Sequence, residues 1–203
     1  SQLPADARPQ LVVSGESLGS YGSQAAFTDV QDMLARAQGG VWSGTPAFTP
    51  TLQELYAARM QGSPQVLPVI DSGRHIRFAS DGVGLDADYA GRPFGEWESP
   101  RFVYLQHASD PVVWWSSDLL LTQPDWLREP RGSDVLSTIR WWPVVSFWQV
   151  TGDMAAGTSP PPGHGHKYGS EELAAWGAVL GGDPGTDYAA MAKAMDPYVS
   201  YTD

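Results

Sequence analysis

The stretch "LVVSGESLGSYGSQAAF" (Leu11–Phe27) decides how the chain folds. Three apolar residues lead into two glycines around a serine, and small helix formers follow directly. Apolar run, G-x-S-x-G, helix is the order of a nucleophile elbow, in which a serine is lifted on a sharp strand-to-helix turn. Gly15 and Gly19 are the small residues such a turn needs on both sides of Ser17. Ser17 then stands at a helix N-terminus, where free amides and the helix dipole favour a developing oxyanion, and the Leu18 N–H is one donor. G-x-S-x-G alone is a weak motif, so the strand before it and the helix after it carry the weight.

A serine hydroxyl becomes a useful nucleophile only beside a base, and that base needs an orienting carboxylate. Asp110 follows the apolar run "FVYLQ" (Phe102–Gln106) and precedes "PVVWW", where an orienting acid would sit, although a turn Asp before proline is the plainer role. Four histidines are candidate bases: His75, His107, His164 and His166. His75 lies in an expected hairpin and His107 shares the loop of Asp110, so both read as structural. His164 and His166 sit late in the chain, in "PPGHGHKYG" (Pro161–Gly169). This H-x-H pair lacks a third ligand at a telling spacing, so no metal site is expected. The order Ser17, Asp110, then histidine is that of α/β-hydrolases rather than of the other two familiar triad folds.

The rest of the chain supplies the setting. Gln10–Ser14 and Val41–Gly44 read as strands, with a helix from Leu18 to Arg36 between them and another over Thr49–Met60. Gln65–Asp71 and Arg74–Ser80 suggest a hairpin turning at Ser72–Gly73, and residues 81–100 read as loop. Arg101–Pro111 is a further strand ending in polar residues. Helices are expected over Ser116–Leu121 and Val135–Val150, and after a cap at Ser170. Strands alternating with helices predict an α/β fold, a largely parallel sheet with flanking helices. In such sheets functional groups gather beyond the carboxyl ends of the strands, where Ser17, Asp110 and the His loop all fall.

Composition narrows the partners. The chain has 203 residues with 42% hydrophobic and 11% aromatic content, enough for a real core. Its 12 Lys+Arg against 23 Asp+Glu give a net charge of −11, which repels nucleic acids and anionic surfaces. The absence of cysteine excludes disulfides, thiolate nucleophiles and Cys-based metal sites. No apolar run is long enough to span a bilayer, and a soluble chain is expected.

Several longer motifs point further: "YLQHASDPVVWW" (Tyr104–Trp115), "PDWLREPRG" (Pro124–Gly132), "WWPVVSFWQVTGDM" (Trp141–Met154) and "PPGHGHKYG". Together with the elbow, they resemble the catalytic domain of an actinobacterial α/β-hydrolase family, over Pro9 to about Trp176. The resemblance implies Ser17 as nucleophile and Asp110 as acid. It leaves His164 and His166 open, with the Gly-His-Gly context tilting the choice toward His164. Ser14 stands where an aromatic would be unsurprising. Relatives carry membrane-spanning helices before this domain, which implies an envelope-associated whole protein that meets the membrane only through that N-terminal region. The resemblance further implies one catalytic domain over residues 1–203, forming the C-terminal portion of the fold, with an aromatic-rich insertion at about 112–158. Because α/β-hydrolases place part of their sheet and a second oxyanion donor before the elbow, a companion N-terminal segment is expected to complete it.

Six of the nine tryptophans, among them Trp114, Trp115, Trp141 and Trp142, fall between the acid and the base. There they would line an acyl or lipid site, or simply fill a core. The expected activity is hydrolysis of a carboxylic ester through an acyl-enzyme, without cofactor, on lipid or envelope-type esters. The same machinery would serve an acyltransferase. A non-catalytic binding or scaffold domain would instead show a His loop turned away from Ser17 and no pocket at the elbow.

Overall fold

Of four short strands, three are buried almost throughout, as a sheet covered on both faces requires, and the first is a more exposed edge. In the computed structural model, which describes residues 4, 9–82, 84–157, 159–183 and 186–195, they are β1 (Val12–Glu16), β2 (Gly39–Ser43), β3 (Ile76–Ala79) and β4 (Arg101–Leu105). All pair in parallel, in the order β1-β2-β4-β3. Alternation along the strands divides the core in two. Trp42, Ile76, Phe78, Phe102 and Tyr104 pack on one face, and Val41, Ala79, Val103 and Leu105 on the other. Trp42 anchors the first face, stacked on Phe102 at 5.4 Å and tilted against Tyr104 at 5.2 Å.

Eight α-helices surround the sheet among the described residues: α1 (Leu18–Gln24), α2 (Val30–Arg36), α3 (Pro50–Ala58), α4 (Pro111–Trp114), α5 (Asp125–Arg128), α6 (Val145–Ala155), α7 (Glu171–Val179) and α8 (Tyr188–Met195). α7 covers β2 and β4. The helix expected over Leu18–Arg36 is two helices. Asp29 adopts extended backbone and accepts the Asp32 N–H at 2.8 Å, starting α2 afresh. The helix expected over Val135–Val150 begins only at Val145, because Pro143 and the positive φ of Val144 (64°) interrupt it.

The expected hairpin is absent. Gln65–Asp71 forms no strand: Pro64 and Pro68 cannot donate to a ladder, and Val66, Val69 and Ile70 are buried from irregular backbone. β3 pairs instead with β4, in parallel, across the long loop of residues 80–100. The buried Arg77 of β3 fastens that loop by donating to the carbonyls of Gly73 (2.8 Å), Leu85 (3.0 Å) and Gly95 (2.9 Å). Ser170 sits at the N-cap position of α7, yet its side chain makes no capping bond.

Trp42 is fully buried whereas Trp142 is 61% exposed. Trp42→Ala should cost about 3–5 kcal/mol, and Trp142→Ala within about 0.5 kcal/mol of nothing, as read from urea unfolding of the two variants.

Candidate active site

Ser17 links β1 to α1 at φ 56°, ψ −126°, a positive φ that a non-glycine residue adopts at a cost of about 1–3 kcal/mol. Its N–H donates to the Ser43 carbonyl at the end of β2 (3.0 Å), and its carbonyl accepts from Tyr21 N–H (3.2 Å). Below the turn, strand and helix nearly touch. A Cβ on Gly15 would lie 2.3 Å from the Gly19 carbonyl oxygen and 2.5 Å from Ser20 N. Gly19 differs, because a Cβ there would meet nothing within 4 Å. The steric need falls on Gly15 alone, a correction to the symmetric role expected for the two glycines.

A buried polar network fixes α1 against the sheet. Ser20 Oγ lies 2.6 Å from Thr45 Oγ1, Gln24 Nε2 donates to Ser20 Oγ (2.9 Å), and Tyr104 Oη donates to Gln24 Oε1 (2.8 Å). The motif-based reading missed this set, although Ser20 and Gln24 recur at helical spacing behind Ser17. Leu18 opens α1, so its N–H is one of the amides that a helix leaves without an internal partner, and its side chain is exposed.

Asp110, just beyond β4, is completely buried and fully engaged. Its Oδ1 accepts the Val112 N–H (2.8 Å), capping α4. Its Oδ2 faces His166 Nδ1 (2.8 Å) and accepts from Tyr168 Oη (2.9 Å). His166, not His164, is therefore the histidine on the carboxylate. His164 is exposed, its backbone bridged to Lys167, and the expected tilt toward it is corrected. The reason is local: Gly163 (φ 84°) and Gly165 (φ 57°) bend the loop so that alternate residues face opposite ways. The His166 Nε2 is buried and has no hydrogen-bond partner. A Cβ on Gly44, next after Ser43, would sit 2.7 Å from His166 Cε1, so glycine there admits the ring beside the strand end that holds Ser17.

Two acids of α7 reach the same end of the sheet. Glu171 Oε1 lies 2.8 Å from His107 Nε2, and Glu172 accepts from Ser43 Oγ. Burial raises the Glu172 carboxyl above its ordinary range; the Ser43 hydrogen bond opposes this and the Glu171 charge adds to it. Burial, then the charge of Asp110, pushes the Tyr168 phenol well up, so it remains a proton donor to the carboxylate. For His107, burial disfavours the charged ring, but Glu171 and the Gly165 carbonyl outweigh it and raise the imidazole above its ordinary value.

The tryptophans divide by role. Trp114 belongs to the core, donates to the His107 carbonyl (3.0 Å) and lines a cavity of about 330 Å³ beside Asp110, with Trp126, Val135, Leu136, Ile139 and Val150. Trp115 and Trp141 donate to Thr151 Oγ1 (2.8 Å) and the Leu119 carbonyl (3.0 Å), and Trp142 points outward. No group of metal-binding side chains occurs among the described residues, nor any helix long and apolar enough to cross a membrane.

A parallel sheet with a serine on a strand-to-helix turn and a buried aspartate–histidine pair beyond the carboxyl ends of its strands is the arrangement of an α/β-hydrolase fold. The chain matches a family described as "Alpha/beta-hydrolase family" over residues 1–193, and it belongs to that family. No curated protein and no solved structure matches it.

Gly15→Ala should collapse the elbow, with a loss of stability of at least about 2 kcal/mol from the forced overlap. Gly19→Ala should be neutral or slightly stabilising, because alanine favours a helix by up to about 1 kcal/mol over glycine. Thermal unfolding of the two variants side by side makes the comparison.

Proposed function

We propose that the protein is a serine hydrolase that cleaves carboxylic esters through an acyl-enzyme. The observation that carries this is the buried, unpartnered Nε2 of His166, whose Nδ1 is held by Asp110 at the strand ends that also present Ser17. Nδ1 protonated toward Asp110 leaves Nε2 as the basic nitrogen, the tautomer a general base requires. Nε2 makes no hydrogen bond to Ser17 here, and base–nucleophile bonds commonly tighten only when substrate binds.

In this mechanism His166 takes the Ser17 Oγ proton as Oγ attacks the ester carbonyl carbon. The Leu18 N–H steadies the oxyanion. His166 then returns the proton to the departing alkoxide, leaving Ser17 acylated. Water, deprotonated by the same nitrogen, then attacks the acyl carbon, and His166 passes that proton to Ser17 Oγ as the acid leaves. Asp110 orients the ring and balances the imidazolium, while Tyr168 and the Val112 amide hold its oxygens. The aromatic cavity beside Asp110 and the exposed Leu121, Leu136, Trp142 and Trp148 support a lipid or other apolar acyl ester as substrate. Transfer of the acyl group to an alcohol would use the same steps. The outer edge of β1, with Leu11 and Val12 exposed, supports pairing with a further segment there, which would supply a second oxyanion donor.

A fluorophosphonate probe followed by intact-mass spectrometry tests this reading. One adduct is expected, abolished in Ser17→Ala. Labelling should slow by roughly 10³-fold or more in His166→Ala and stay within about twofold of the parent in His164→Ala. Equal loss in both histidine variants, or an adduct that survives Ser17→Ala, would overturn it.

A further inference from the structure

His107 is 1% exposed and lies outside the Ser17–Asp110–His166 set, yet its ring is fully bonded. Nδ1 is 2.8 Å from the Gly165 carbonyl oxygen, and Nε2 is 2.8 Å from Glu171 Oε1. A carbonyl can only accept, and an ionised carboxylate can only accept. Two such partners call for a proton on both nitrogens, that is, an imidazolium. The ring also stacks on Tyr168, with centroids 4.2 Å apart and planes 7° from parallel.

The partners matter because of where they sit. Gly165 directly precedes His166, and its N–H donates to Ser109 Oγ (2.9 Å), so its peptide is gripped on both sides by the loop that carries Asp110. The His107 N–H donates to Tyr168 Oη (3.1 Å), which in turn donates to Asp110.

Resting on the hydrolase reading above, we propose that His107 is a positioning residue: its imidazolium ties the base-bearing loop, through Gly165, to Glu171 and to the acid-bearing loop, and so keeps His166 on Asp110. The titratable groups facing the ring are Glu171 from α7, Asp110 from its own loop, and Tyr168 from the base loop. Loss of a proton turns one ring lone pair toward an acceptor oxygen, replacing an attraction by a repulsion in a buried setting.

The raised imidazole value agrees with this geometry and fixes the sign. Stability from the clamp is complete below the ordinary imidazole value of about 6.5 and disappears as pH rises through the higher folded value. The base loop should therefore loosen on the alkaline side.

Nuclear magnetic resonance of the ¹⁵N-histidine-labelled protein tests the clamp without relying on turnover. At neutral pH the His107 ring should carry two protons. The low-field Nδ1 proton of His166 on Asp110 should vanish in step with His107 deprotonation. Glu171→Gln should move both events to lower pH by about one unit or more, and the alkaline limb of fluorophosphonate labelling should move equally. A singly protonated His107 at neutral pH, or a His166–Asp110 proton that persists through the His107 titration, would overturn the proposal. A parent protein that never labels at Ser17 but shows the coupled proton signals would refute the hydrolase reading and uphold the clamp.

Discussion

The structure turns on one buried carboxylate. Asp110 has no solvent, and a lone charge in such a place would cost several kcal/mol. The surrounding chain is arranged to satisfy it: the Val112 amide on one oxygen, His166 and the Tyr168 hydroxyl on the other. These partners come from the turn that starts α4 and from a loop more than fifty residues further along, before α7. Meeting the needs of a single acid therefore closes the loop between β4 and α7 and fixes the orientation of the imidazole.

A second constraint lies at the elbow. Ser17 holds a backbone conformation that local energetics oppose, and it persists because its surroundings leave no alternative. The contact of Gly15 with the Gly19 backbone, the bond from Ser17 N–H to Ser43, and the Ser20–Gln24–Thr45 network beneath α1 each hold the turn. Polar groups buried there are matched to one another, which favours a single geometry over a sliding helix. Strain at the serine is offset by packing and hydrogen bonding away from it.

Loops do the assembling that strands cannot. The sheet only aligns the ends of β1, β2 and β4; the imidazole arrives from a segment outside the sheet. Glycines at 44 and 165 make that possible, one by clearing space for the ring and the other by its left-handed backbone at φ 57°. α7 then adds Glu171 and Glu172 behind the loop, so the helix that covers β2 and β4 also supplies two carboxyl groups to the site.

The sequence by itself determined the fold class, and it located the strand-to-helix turn at Ser17 and the buried aspartate beyond β4. Those features are local: an apolar run before G-x-S-x-G, and an Asp one short turn past a strand, each declare themselves within a dozen residues. The largely parallel sense of the sheet was legible in the alternation of helices with strands, but the pairing of β3 with β4 was not. What only the tertiary structure decided was which histidine meets that aspartate. His164 and His166 share a motif and differ by two positions, and the choice depends on which of them a doubly bent loop turns toward a carboxylate brought from β4. The false hairpin at Gln65–Ser80 has a kindred cause, because β3 found its partner across the loop of residues 80–100 rather than next to itself. Long-range pairing is settled by which buried groups can be satisfied together, and no single stretch of sequence contains both halves of that condition.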